Sequence, residues 1–75
     1  SIANDQTMKD LVFLMDLLPE HQRNVVFMRY FQNLSFKEIA EETNVSVNTS
    51  LGRMRYALIN MRRLSREYEI NLSLE

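Results

Sequence analysis

The side chains best suited to hold a ligand lie between residues 46 and 66. Arg53, Arg55, Arg62, Arg63 and Arg66 fall there with no acidic residue among them. A guanidinium is a planar fork that pairs bidentately with phosphate oxygens or with the edge of guanine. Ahead of them stand Ser46, Asn48 and Thr49, polar groups of the kind that reach base edges, Asn preferring adenine. A basic helix opening on polar side chains has the make-up of a DNA-reading element. Acid–base and metal chemistry have far less to draw on. The chain holds one His, one Gly and no Cys. A zinc site or a nucleophilic triad would rest on His21 alone, and a phosphate loop needs several glycines. His21 follows Glu20 at the start of a predicted helix, where capping is its expected role. No catalytic residue, metal or cofactor is expected, and the chain is not read as an enzyme.

The net charge of −1 argues against nucleic acid only as a total. Residues 1–45 carry Lys9, Arg23, Arg29 and Lys37 against seven acids, a balance of −3. Residues 46–66 stand at +5, and residues 67–75 return −3. Phosphate neutralisation dominates affinity for DNA, so the local excess counts for more than the sum. It also predicts feeble binding by the domain alone, with affinity completed by a larger complex.

These residues must be positioned by helices. Seventy-five residues make one domain, and a chain this short without disulfide or metal relies on efficient helix packing. The longest apolar run, residues 11–15, is far below a membrane span, and no signal-peptide pattern is visible, so a cytoplasmic protein is expected. A first helix is predicted from Asn4 or Asp5 to about residue 17. Its Met8, Leu11, Val12 and Met15 recur at helical spacing, with Phe13 and Leu17 on another side. Pro19 marks the start of a second helix reaching about residue 32. Its apolar run through Val25, Val26, Phe27, Met28, Tyr30 and Phe31 marks it as the central core helix.

Ser35 and Glu38 form a capping box opening a short third helix over about residues 36–42. Asn44 suits the left-handed turn that ends it, and Ser46 caps a fourth helix running to at least residue 66. In that helix Val47, Leu51, Met54, Ala57, Leu58, Met61 and Leu64 form the expected apolar stripe. The predicted fold is all-α: four helices over residues 1–68, with a helix-turn-helix at about 35–66 and a frayed or disordered tail at 69–75. Ala40 is small where the two helices approach, and Val45 plugs the turn. Arg29 and Glu38 are candidates for an ion pair between the second and third helices.

The residues Leu18-Pro19-Glu20-His21-Gln22-Arg23 and Val26-Phe27-Met28-Arg29-Tyr30 resemble the opening of region 4 in sigma factors of bacterial RNA polymerase. The stretch from Leu34 through Ser35, Glu38, Ile39 and Ala40 to Glu41 resembles the family's "LS-x-x-EIAE" element. Val45-Ser46-Val47-Asn48-Thr49 is similar to its "[IV]SvnT" element, with Arg53, Ala57 and Leu58 at the expected offsets. The resemblance spans residues 18–64, and the layout looks most like the extracytoplasmic-function type of the sigma-70 family. It implies a domain that recognises the promoter −35 element, docks on the β-flap of RNA polymerase core, and in many members meets an anti-sigma factor. It also implies a monomer and the C-terminal domain of a sigma factor, region 2 being absent from this stretch. A response-regulator DNA-binding domain, which would dimerise, is the alternative.

On this basis Asn48, Thr49, Gly52, Arg53 and Tyr56 are assigned to the major groove, following Ser46. Ser35, Lys37, Arg55 and Arg63 are assigned to phosphates, and Phe13, Leu17, Phe27 and Phe31 to a protein partner. Where the family carries Val, a polar residue and Ser after the Thr, this chain has Ser50, Leu51 and Gly52. The Ser50 hydroxyl is expected to bond back to the Ser46 carbonyl, and Leu51 to take over apolar contact.

Overall fold

The computed structural model describes residues 5–72. Helix α1 spans Asp5–Asp16, α2 spans Glu20–Val26 and runs on into a π turn at Phe27–Phe31, α3 spans Phe36–Thr43, and α4 spans Val47–Glu67. Among the described residues there is no strand. The expected cap Asn4 lies outside them.

Helix α4 is the spine, packing against α1, α2 and α3. Its buried face is Ser50, Met54, Ala57, Met61 and Leu64, a spacing of four, three, four and three residues that keeps one azimuth on a helix. Leu14, Met15 and Leu18 come down from α1 and its end, Val25 and Val26 from α2, Ile39 and Ala40 from α3. Gln22 and Asn60 tie α2 to α4 through a 2.7 Å hydrogen bond from Nδ2 to Oε1.

The expected stripe holds at Met54, Ala57, Met61 and Leu64, with Leu58 packed beside it, but its first turn runs through Ser50 rather than through Val47 and Leu51. Val47 and Leu51 are 41% and 44% exposed, so Leu51 takes over no core contact, while Ser50 is fully buried. The Ser50 hydroxyl has no hydrogen-bond partner, and the expected bond to the Ser46 carbonyl is not made by the side chain. That carbonyl accepts the Ser50 backbone N–H at 3.1 Å instead. In α1 the buried side is Leu14 and Met15, with Leu11 packed beside them, leaving Met8 and Val12 exposed.

The second helix differs as well. Its second half is mostly outside the core: Phe27, Tyr30 and Phe31 are exposed and Met28 alone of its apolar residues packs against it. The ladder widens there, the Gln32 N–H reaching the Phe27 carbonyl five residues back at 3.2 Å. Asn33 at φ 57° then reverses the chain. The tail expected to fray from residue 69 does not do so over its described part. Tyr68 packs edge-on against Phe13 with ring centroids 5.1 Å apart. Glu69 turns at φ 55°, and the Ile70 N–H bonds the Ser65 carbonyl at 2.7 Å. Leu72 is thereby buried in the core and Ile70 packed against it, because four short helices leave apolar surface that the tail can cover. Residues 73–75 lie outside the described part.

A buried hydroxyl without a partner costs about 1–3 kcal/mol. Ser50→Ala removes it and adds a good helix former, so thermal unfolding should shift up by roughly 4–8 °C per kcal/mol gained in a domain of this size. A downward shift would show that the hydroxyl has a partner in solution.

Candidate nucleic-acid interface

The helix-turn-helix of α3 and α4 is built by three local devices. Ser35 Oγ accepts the Glu38 N–H at 3.1 Å, and Glu38 Oε1 accepts the Ser35 N–H at 2.8 Å, closing the capping box. Asn44 takes the left-handed conformation at φ 58°, and the Val45 N–H closes back on the Ala40 carbonyl at 3.0 Å. Ser46 Oγ accepts the Thr49 N–H at 3.1 Å and donates to Thr49 Oγ1 at 3.0 Å. These side chains fix where α4 begins and which way it points.

Arg29 does not pair with Glu38. The Glu38 carboxylate is turned onto its own helix start, where a backbone N–H is the better-placed partner. Arg29 instead donates to the Leu34 carbonyl at 2.9 Å and lies 4.9 Å over the Phe36 ring. It thus clamps the segment between the π turn and α3. Hydrogen bonds from the Ser35 backbone and side chain hold the Glu38 carboxyl below its usual range.

From the turn, α4 carries the predicted polar and basic residues outward. Asn48, Thr49, Arg55, Tyr56, Arg62, Arg63 and Arg66 are exposed, while Gly52 and Arg53 are partly covered. Ser35 and Lys37 are exposed at the start of α3. Besides Ser35 in its capping box, three of the assigned residues are already engaged within the chain. Ser46 and Thr49 satisfy each other, which makes Ser46 a positioning residue first. Arg63 Nη1 lies 2.6 Å from Glu67 Oε2, an ion pair about half exposed on both sides and therefore weak.

The four residues assigned to a partner separate. Phe27 and Phe31 stack at 5.6 Å and line an open groove of about 330 Å³ with Val12, Met15, Asp16, Arg23 and Asn24. Phe13 packs on Tyr68 and is not among the residues lining this groove, nor is Leu17. The sequence reading missed Val12 here by counting it in the buried stripe. Its position roughly 160° around α1 from the buried Leu14 is the signal that would have found it.

A family model described as sigma-70, region 4 matches residues 8–58. The chain belongs to the sigma-70 region 4 family. No curated protein and no solved structure matches it. A sigma-70 region 4 domain serves DNA binding in transcription initiation and works with RNA polymerase, and the match covers the capping box, the turn and the first half of α4. The extended part of α4 beyond residue 58, with Arg62, Arg63 and Arg66, lies outside the match. Among the described residues no helix is long and apolar enough to cross a membrane, and no three His, Asp or Glu side chains converge to hold a metal ion.

Because Glu38 titrates below its ordinary range in the folded domain, its ionised form favours the fold. That contribution is complete above the ordinary glutamate pKa and is lost as pH falls through the lowered folded value. Glu38→Gln should therefore be less stable than the parent at neutral pH, and the gap should narrow in acid. Equal gaps at every pH in urea titrations would contradict the capping role.

Proposed function

We propose that this region 4 domain recognises the promoter −35 element through α4, acting as a monomer of the extracytoplasmic-function type in the cytoplasm. The observation that carries the reading is the outward face of α4, free of acid over residues 46–66 and opened by exposed Asn48 and Thr49. Asn48, Thr49, Gly52, Arg53 and Tyr56 face the major groove, with Ser46 fixing the first turn. Arg55 and Arg63 hold phosphates, and Ser35 and Lys37 bring the start of α3 to the backbone, where a helix N-terminus favours an anion. Part of that favour is already used by the Glu38 carboxylate, which leaves Lys37 as the stronger contact.

The groove beside the π turn is the proposed seat of the polymerase β-flap, with Phe27 and Phe31 as its apolar floor and Asp16 and Arg23 as opposite charges at its edge. An anti-sigma factor would compete for the same apolar surface. Phe13 and Leu17 are kept as partner contacts outside the groove. The acidic body of the domain, at −3 over residues 1–45, limits affinity for DNA, and at higher salt this second attachment adds to it.

In bandshift titrations at several salt concentrations, Arg55→Ala should weaken binding to all duplexes about equally. It should also lower the slope of log K against log salt by roughly one contact. Asn48→Ala should instead narrow the gap between preferred and random DNA. Unchanged binding in both variants would refute the assignment. Phe27→Ser should reduce capture of a β-flap fragment while leaving DNA binding intact. It is a cleaner probe than Phe13, whose loss would also disturb Tyr68.

A further inference from the structure

Gly52 has no internal reason to be glycine. A glycine is required where φ is positive or where a Cβ would collide. The backbone at Gly52 is helical, and a Cβ built there meets nothing within 4 Å. The helix passes through the position without a break. Yet it sits in the sixth position of the helix on which the whole domain packs, and glycine is the poorest helix former after proline.

The residue lies on the outward side, nearly opposite the buried stripe. Asn48 stands one turn before it and Tyr56 one turn after, each about 6 Å away along the axis and both exposed. Gly52 is therefore a gap in a row of side chains, with an amide on one side and a phenol on the other. Whatever fills it approaches the bare helix backbone from outside.

The chemistry of that gap restricts the occupant. Mid-helix N–H groups are committed to the ladder, so a phosphate pressed against Gly52 would find no donor. An apolar group needs none. The apolar group that a base pair offers on the floor of the major groove is the C5 methyl of thymine. We infer that Gly52 is a specificity-determining position that admits a thymine methyl against the α4 backbone. This rests on α4 being the DNA-reading helix, and it adds a base that no side chain reads.

The test exchanges one methyl for another. A duplex enriched by the 75-residue chain from random DNA at low salt is rebuilt with each thymine replaced singly by deoxyuridine. The parent should lose about fourfold in affinity at one position, the worth of one buried methyl. Gly52→Ala fills the gap, so it should lose roughly tenfold or more on the thymine duplex. It should recover most of that loss on the duplex carrying deoxyuridine at that same position. Its melting temperature should rise by several degrees, since alanine is the better helix former and the added methyl meets open space. A Gly52→Ala variant that binds the thymine duplex as the parent does, or that gains nothing from deoxyuridine anywhere, overturns the inference while leaving the α4 reading intact. A lower melting temperature overturns it too, by giving the glycine an internal cause. A parent chain that enriches no sequence removes the α4 reading and this inference with it.

Discussion

Three helices and a tail all rest on one side of α4, through five side chains no larger than methionine. Ala57 and Ser50 are the small members of that stripe, and they let α2 and α3 come close to the spine. Met54 and Met61 fill what remains, being flexible enough to fit irregular gaps. With its inner side committed in this way, α4 has the opposite side available along its full length. The arginines, the polar opening and the glycine gap occupy that outer side because nothing in the domain competes for it. Packing and the proposed DNA contact are thus separated by the circumference of a single helix.

The same constraint explains the unbonded Ser50 hydroxyl. The azimuth of the stripe is set by Met54, Ala57, Met61 and Leu64, and helical geometry then carries it through position 50 whatever residue stands there. Rotating α4 to bury Leu51 in its place would expose Ala57 and Leu64 and turn Arg55 and Arg62 toward the core. One unsatisfied hydroxyl costs less than that rotation.

Local hydrogen-bond chemistry made much of the fold readable in advance. Ser35 with Glu38, Asn44 and Ser46 act through groups within a few residues of themselves, so their roles follow from residue type and spacing. The helix-turn-helix and the outward face of α4 follow from them. What spacing did not reveal depended on surface supply. The run from Val25 to Phe31 is apolar on most sides and reads as a central core helix, but a chain of this length has too little material to cover it, and Phe27, Tyr30 and Phe31 remain outside. The tail reads as frayed or disordered, yet Ile70 and Leu72 find apolar core surface that no local pattern announces. Arg29 was assigned by charge to Glu38 and is held instead by a carbonyl and a ring, partners invisible to charge counting.

The π turn at Phe27–Phe31 sets a further condition on the groove. A π turn accommodates one more residue per hydrogen-bonded loop than an α turn. That extra residue brings Phe27 and Phe31, four apart, to nearly parallel stacking with 16° between their rings. Deleting one residue from this turn would restore the ordinary ladder and swing Phe31 by roughly 100° around the axis, off the groove floor. Exchange of one large apolar residue for another would keep the floor in place. Descendants of this sequence can therefore vary in side chain at this turn far more freely than in length.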